Sequence, residues 1–157
     1  VIATDHAPHH ADEKNVEFDR APFGIVGLET AIPIAMQTLV HGGVISLSRL
    51  VELMSVNPAR IINVPGGSLT EGQPADITIL APDQSVTIDR AALVSKSKNT
   101  PYHGHTFRGV AAAMIVGGRV VFANNASGGG SRRRSTTDQD TQQIADFRHE
   151  PAPISYR

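Results

Sequence analysis

A carboxylate and three imidazoles lie close together at the beginning of the sequence. Asp5 directly follows the largely apolar residues 1–4, and His6, His9 and His10 come shortly after it. A carboxylate at a strand end, with histidines in the loop that follows, is the usual layout of an active site in a (β/α)8 barrel. Such a carboxylate can bind zinc, act as a general base, or do both. Asp5 is therefore a candidate for these roles, and the alternative is an N-cap or a plain loop carboxylate.

The spacing of the three histidines leaves their role open. It does not match a helical metal motif such as His-Glu-x-x-His, and it does not distinguish an imidazole that binds metal from one that binds an anionic substrate. Ala7-Pro8 stiffens the turn, because proline restricts its own backbone and that of its predecessor. His9 should therefore be held at a fixed offset from Asp5.

The loop after Asp5 is long and polar, and loops of this length are usually functional or disordered. We assign it to residues 5–26, and its polar clusters beside an apolar run favour a function. Pro22-Phe23-Gly24-Ile25 is either a hydrophobic lid or a stretch of backbone that closely approaches a substrate, which glycine permits. Glu13 and Lys14 are expected to form a solvated ion pair that contributes little.

Helical patterns follow this loop. Residues 1–4, which precede the loop, predict the end of a buried parallel strand. Apolar spacing predicts a helix over residues 27–40, which Pro33 should kink or start late. Ser46 is the expected N-cap of a helix over residues 47–55. Asn57-Pro58 is expected to cap a separate short helix over residues 59–63, which Gly66-Gly67 closes.

Strand patterns dominate the second half of the chain. Short runs rich in β-branched residues predict four strands, at residues 75–80, 85–88, 111–116 and 119–122. Gly117-Gly118 predicts a two-residue hairpin turn between the last two strands. Between the middle two, residues 89–110 should mix a short helical piece with a polar loop. Residues 124–157 predict a flexible tail that contains Arg132 to Arg134 and a short helix around residues 142–147.

Composition narrows the function classes. The chain has 157 residues, of which 40% are hydrophobic and 18% charged, so it should hold a globular core. A net charge of −1 argues against general attraction to nucleic acid, and the short apolar runs argue against a membrane span. The absence of cysteine excludes disulfides and thiolate metal sites and fits a cytoplasmic protein. Because no initiator Met precedes Asp5, we expect the C-terminal part of a larger protein.

Several segments together carry a resemblance to a known family over residues 1–123. The specific ones are Thr4-Asp5-His6-Ala7-Pro8-His9, Asp12-Glu13-Lys14 and residues 21–30. Less specific ones are Ser55-Val56-Asn57-Pro58-Ala59-Arg60, residues 67–77, Ser97-Lys98-Asn99-Thr100-Pro101-Tyr102 and residues 116–121. These segments resemble the bacterial type I dihydroorotases of the amidohydrolase superfamily. The resemblance implies an α/β fold: the C-terminal part of a TIM-like (β/α)8 metal-dependent hydrolase barrel at residues 1–64, and a small β-sandwich domain at residues 65–123.

The resemblance also implies a role for each matching residue. Asp5 resembles an aspartate that binds metal and acts first as general base and then as general acid. His9 resembles the histidine that binds the substrate's carboxylate, and Phe23 and Gly24 match a pair whose backbone contacts the substrate ring. No family role is carried over to His6 or His10; we expect His6 to form hydrogen bonds near the site and His10 to be exposed.

The implied reaction is the zinc-dependent, reversible hydrolysis of the cyclic amide of (S)-dihydroorotate to N-carbamoyl-L-aspartate in pyrimidine synthesis. The family uses one or two zinc ions, whose other ligands are a His-x-His pair on the first barrel strand, a carboxylated lysine and two further histidines. No cluster in this chain substitutes for them, because His41 follows a predicted helix and His103 and His105 lie in the loop of the small domain. We therefore expect the isolated chain to be inactive and to bind zinc poorly. The resemblance is compatible with a homodimer and with a complex with aspartate transcarbamoylase, and no motif in the sequence distinguishes between them.

Three alternatives stand beside this interpretation. An allantoinase or dihydropyrimidinase would share the aspartate and the β domain, but such enzymes generally lack a histidine at the position of His9. A non-catalytic dihydroorotase-like subunit that scaffolds aspartate transcarbamoylase would tend to lose its metal ligands, whereas Asp5 and His9 are retained. A purely structural domain would leave the polar loop and its Asp/His cluster unexplained.

Overall fold

The computed structural model describes residues 1–124 and contains short helices followed by a sheet. The helices are α1 (Ala11–Lys14), α2 (Ala31–Ala35), α3 (Leu47–Val51) and α4 (Asn57–Ile62), with two π-helical segments, π1 (Met36–Val40) and π2 (Glu52–Val56). The strands are β1 (Ile77–Thr87), β2 (Thr106–Val116) and β3 (Arg119–Ala123). The predicted tail, with its arginines and its helix around residues 142–147, lies outside the described residues.

The first helical run is α2 continued by π1. It begins at Ala31, so Pro33 stands in its first turn, where a missing amide hydrogen costs nothing, and the predicted late start is confirmed. Backbone dihedrals remain helical from Ala35 into Met36, and the run ends near His41 before the turn at Gly43. This run supplies the most buried side chain in the described part of the protein, Met36.

The second helical run is longer than predicted. Ser46 caps it as expected, since its hydroxyl accepts a hydrogen bond from the Arg49 amide at 3.1 Å. The separate helix predicted at Asn57 is wrong, because α3, π2 and α4 follow one another without a break. The wider π turn precedes Pro58, where an α-helical turn would lack a donor and crowd the proline ring. The run ends at Asn63, which is left-handed with φ of 55°, and this is the residue at which the short helix was expected to end.

The three strands form one antiparallel sheet in the order β1-β2-β3. β1 combines the two strands predicted at residues 75–80 and 85–88, and its register with β2 is irregular between Ala81 and Ser85. β2 begins at Thr106, so that part of the loop predicted at residues 89–110 is strand, and the described residues show no helix there. The hairpin at Gly117-Gly118 is confirmed, with φ of 55° and 78° at the two glycines.

The helices pack on the sheet through close backbone approach. Met36 is fully buried beside Ala35 and Leu50, and it lies directly over Gly109 of β2. A Cβ atom at Gly109 would lie 2.4 Å from the Met36 Cβ, so only glycine allows this contact. Beside the sheet, Tyr102 in the turn before β2 meets Phe107 of β2 edge to face, with 5.7 Å between ring centroids.

Residues 1–4 are not a strand in this structure, and that prediction is wrong for the described chain. The Ile2 amide donates to the Leu53 carbonyl at 3.0 Å, and the nearest strand-like pairing is an isolated parallel bridge between His6 and Ile25. A strand requires a neighbouring backbone along its length. Within residues 1–124, the only strand-like pairing near this segment is the single bridge at His6. Within the same residues, no helix combines the length and apolar character needed to cross a membrane.

Candidate active site

The polar loop folds back on itself and brings its two ends together. His6 and Ile25 form the parallel bridge, and the Ala7 amide donates to the Ile25 carbonyl at 2.9 Å. These bonds set the turn that contains His9 beside the segment Phe23-Gly24. The prediction that the loop has no secondary structure is wrong, because α1 forms within it.

His9 is held between the two sides of this loop. Its Nε2 donates to the Phe23 carbonyl at 2.9 Å, since a carbonyl oxygen can only accept. Its Nδ1 lies 3.6 Å from a Glu13 carboxylate oxygen, close enough for an ion pair when the ring is protonated. About a quarter of the His9 side chain is exposed. The ring is therefore oriented by two partners, yet it stays within reach of a bound anion.

Gly24 occupies a position that no other residue fits. Its φ is 107°, in the left-handed region, and a Cβ atom there would lie 2.4 Å from the Ala7 Cβ and 3.6 Å from His9 Nε2. Phe23 turns its carbonyl toward His9 while its side chain is 93% exposed. The structure thus brings His9, Phe23 and Gly24 together, mainly through the backbone of residues 23 and 24.

Lys14 is part of this cluster rather than of a solvated ion pair, and that prediction is wrong. Its ammonium donates to the Pro22 carbonyl at 2.6 Å and to the Gly24 carbonyl at 3.0 Å. Helix α1 positions it. His10 caps the helix by accepting from the Asp12 amide, and Glu13 accepts from the His10 amide at 3.1 Å. A half-buried ammonium bound to two carbonyls contributes more than an exposed ion pair, because water no longer competes for its protons.

A segment from the second half of the chain closes the cluster from the other side. The Asn99 side-chain amide donates to the Ala7 carbonyl at 3.0 Å and to the Gly24 carbonyl at 3.3 Å. Ser97 donates its hydroxyl proton to the His9 carbonyl at 2.6 Å. Sequence reasoning missed these contacts: Ser97 and Asn99 entered only as part of a weakly discriminating motif, and nothing local marks them as neighbours of His9.

Asp5 stands at the edge of this arrangement. It is exposed and has φ of 44°, a left-handed conformation that residues other than glycine rarely adopt. The next residue, His6, accepts through Nδ1 from the Gly27 amide at 3.0 Å, which confirms a hydrogen-bonding role for this ring. His10 is exposed, as expected, and serves as a helix cap.

The described residues do not make a complete metal site. Across residues 1–124, no group of three or more histidine, cysteine, aspartate or glutamate side chains is arranged to hold an ion. Asp5 offers one exposed carboxylate, whereas zinc usually takes at least three protein ligands. Two histidines outside the loop have their own partners: His41 Nε2 donates to the Pro82 carbonyl at 2.9 Å, and His103 Nδ1 accepts from the Arg90 amide at 3.2 Å.

Comparison with known proteins gives this loop its context. A sequence model described as the amidohydrolase family matches residues 1–121. The chain belongs to the amidohydrolase family. Among curated amidohydrolase relatives, it is 52% identical over 122 residues to a dihydroorotase of Trichlorobacter lovleyi and 52% identical over 121 residues to one of Pelotomaculum thermopropionicum. These matches cover 78% and 77% of the chain but only 28% of each relative, so the chain spans little more than a quarter of their length.

Solved structures place the same amidohydrolase region in a three-dimensional context. An L-hydantoinase (dihydropyrimidinase) from Arthrobacter aurescens matches with a TM-score of 0.63 and 33% identity, over 73% of this chain and 25% of that one. A dihydropyrimidinase from Brevibacillus agri matches with a TM-score of 0.69 and 25% identity, over 76% of this chain and 27% of that one. These similarities support an α/β amidohydrolase fold.

Proposed function

We propose that the protein to which this chain belongs is a dihydroorotase, which reversibly hydrolyses the cyclic amide of (S)-dihydroorotate to N-carbamoyl-L-aspartate in de novo pyrimidine synthesis. The observation that carries the proposal is the 52% identity to curated dihydroorotases, over 122 and 121 residues of this chain. The loop geometry supports it, because His9 and the backbone of Phe23-Gly24 lie together where a small anionic ring could be bound.

In this proposal, His9 binds the substrate's carboxylate and the backbone of Phe23 and Gly24 contacts the ring. An imidazole that donates to a carboxylate makes a charge-assisted hydrogen bond, which is stronger than its bond to a neutral carbonyl. His9 Nε2 now donates to the Phe23 carbonyl, so substrate binding exchanges this partner for the carboxylate. The close packing of Gly24 on Ala7 sets the distance between the ring-contacting backbone and His9.

Asp5 is the proposed proton carrier. Hydrolysis adds the oxygen of water to the ring carbonyl carbon, breaks the carbon–nitrogen bond, and places a proton on the leaving nitrogen. The Asp5 carboxylate takes the proton from the attacking water and delivers it to that nitrogen. Zinc, as one or two ions, is the proposed cofactor, with Asp5 as one ligand and the remaining ligands outside the residues described here.

The finer architecture belongs to the same proposal. Residues 1–64 would form the end of a (β/α)8 barrel with its active-site loop, and residues 65–123 a small β-sandwich domain. The order of elements supports this division, because all described helices lie before residue 65 and all three strands lie after it. A cytoplasmic location, a homodimer and an association with aspartate transcarbamoylase stay predictions.

The test is a substrate panel on the full-length protein, supplied with zinc, that contains dihydroorotate, hydantoin and allantoin. We expect turnover of dihydroorotate, and a rise of about tenfold or more in KM for dihydroorotate in His9→Ala, because a charge-assisted hydrogen bond is lost. His103→Ala is the matched control, since His103 is an exposed histidine whose ring accepts from the Arg90 amide and lies near Asp89, outside this loop. Turnover confined to hydantoin or allantoin would replace the proposal with a sister amidohydrolase, and inertness on all three would favour the non-catalytic subunit.

A further inference from the structure

The side chain of Asn99 joins two backbone segments that are distant in sequence. Its Nδ2 lies 3.0 Å from the Ala7 carbonyl oxygen and 3.3 Å from the Gly24 carbonyl oxygen. A carboxamide nitrogen carries two protons, so that one side chain can donate to both carbonyls. The Ser97 hydroxyl faces the other end of the group, at Asn99 Oδ1, which agrees with this orientation of the amide.

The rest of the segment binds the same loop. The Asn99 carbonyl accepts from the Val26 amide at 3.2 Å, and the Ser97 hydroxyl donates to the His9 carbonyl at 2.6 Å. Residues on both sides of the loop are therefore attached to one short segment. His9 and Gly24, the residues proposed to contact substrate, each have their own carbonyl held by it.

A second attachment fixes this segment to the helical half. Both carboxylate oxygens of Glu29 accept from the Val94 amide, at 3.0 and 2.8 Å, and one also accepts from the Ser95 amide at 3.0 Å. Glu29 lies directly before the first turn of α2. The segment of residues 94–99 is thus anchored at one end and can hold the loop in place at the other.

From these contacts we infer that Asn99 is a positioning residue, which sets the spacing between the His9 turn and the Gly24 backbone and so determines affinity for the substrate. The inference rests on the proposed function. Asn99 acts through the carbonyls of residues 7 and 24 rather than through Asp5. Its loss should therefore weaken substrate binding more than the chemical step.

The test uses full-length protein with Asn99→Ala and, as a second variant that removes a single hydroxyl, Ser97→Ala. We expect KM for dihydroorotate to rise about tenfold in Asn99→Ala while kcat changes by less than about threefold. Ser68→Ala is the matched control, because the Ser68 hydroxyl bonds only within its own exposed turn, to Thr70. Equal losses in kcat and kcat/KM, or an unchanged KM in both variants, would overturn the inference.

A second readout needs no activity. Arg20 is 74% exposed and lies inside the loop, so trypsin cleavage after it reports on how tightly the loop is held. We expect faster cleavage after Arg20 in Asn99→Ala and Ser97→Ala than in wild type and Ser68→Ala, at equal melting temperature. Uniformly faster cleavage after Arg60 and Arg90, which lie outside the loop and outside residues 94–99, would indicate general unfolding and overturn the inference. If wild type fails to hydrolyse dihydroorotate, the proposed function fails, and the cleavage pattern still decides whether Asn99 holds the loop.

Discussion

At the scale of single residues, Asp5 combines exposure with an unfavourable backbone conformation. A left-handed conformation at a residue other than glycine costs on the order of 1–2 kcal/mol, and aspartate and asparagine tolerate it best. Asn63, which ends the second helical run, adopts the same conformation with φ of 55°. Such conformations cluster at functional sites, where the surrounding structure imposes them. The turn at Asp5 is imposed by the bridge of His6 to Ile25 immediately after it.

Asp5→Asn distinguishes the proton transfer by this carboxylate from the effect of the residue's left-handed backbone conformation. Asparagine accepts the same left-handed conformation, so the full-length variant should fold normally. It cannot take up a proton, and kcat for dihydroorotate should fall by roughly 10²–10⁴-fold. Steady-state kinetics beside a thermal melt measures both effects. Asp5→Ala is the comparison, since it loses the carboxylate and also the tolerance for this conformation. Wild-type kcat in Asp5→Asn would exclude Asp5 as the proton carrier.

Gly24 allows a clean distinction between backbone strain and steric contact. Gly24→Ala should destabilise the protein by about 1–3 kcal/mol from overpacking in addition to the cost of its φ of 107°, because the new Cβ meets Ala7. Gly72→Ala is matched in strain, with φ of 83°, but has open space around the new atom. Urea denaturation of the two variants should therefore differ, and KM should rise only in Gly24→Ala. Equal destabilisation and equal KM would show that the contact with Ala7 is unimportant.

At the scale of elements, the helical runs attach to the sheet mainly through one closely packed contact, that of Met36 with Gly109. Met36 of π1 is fully buried and lies over Gly109 of β2, while Leu50 of α3 completes the cluster. A second link is the His41 ring, which donates to the Pro82 carbonyl in β1. Glu29 lies in the turn before α2, and Asn99 lies in the connection between β1 and β2. The packing of the helices on the sheet therefore keeps residues 94–99 within reach of the loop.

Met36→Ala should test this packing directly. Removing a fully buried methionine side chain costs about 2–5 kcal/mol, because the cavity is only partly refilled. Met36→Leu keeps the volume and should cost less than about 1.5 kcal/mol. The midpoint and slope of urea unfolding give both values. If the alanine variant were as stable as the leucine variant, Met36 would not be a structural centre of the fold.

At the scale of the whole molecule, the described part buries little apolar surface. Six hydrophobic side chains are buried within residues 1–124, namely Val26, Ala35, Met36, Leu50, Ile88 and Val110. Several large ones are well exposed, among them Phe18, Leu28, Ile61 and Leu69. Since hydrophobic burial is the main stabilising term in folding, this arrangement should be only marginally stable by itself.

The purified chain of 157 residues should show no steady zinc-dependent turnover of dihydroorotate and should bind zinc poorly. The reason is that its described residues assemble no group of three metal-binding side chains around Asp5. Isothermal titration with zinc and a turnover assay beside the full-length protein would check this. Sustained turnover by the purified chain alone would contradict the prediction.

Several local features of the fold can be predicted from the sequence, because each depends on interactions between residues that are close in the chain. The Ser46 cap, the Gly117-Gly118 turn and the late start of a helix at Pro33 each depend on residues a few positions apart. The candidates Asp5, His9, Phe23 and Gly24 were chosen from residue type and resemblance, and the structure brings the last three together. Their chemical roles stay predictions.

The remainder depended on partners that are remote in the chain. Residues 1–4 lack the continuous neighbouring strand that their composition anticipated, and Asn57-Pro58 lies within a helical run because a π turn precedes it. From its sequence neighbours, Lys14 is predicted to be a solvated charge and Asn99 an ordinary loop residue. Both become part of the site only because backbone carbonyls of the folded loop point at them. The helix cap and the hairpin turn can be predicted from the sequence, since they depend on hydrogen bonds and backbone conformations within a few residues. The side chains that hold the site in place cannot be predicted in this way, because a hydrogen bond across the fold leaves no local pattern in the sequence.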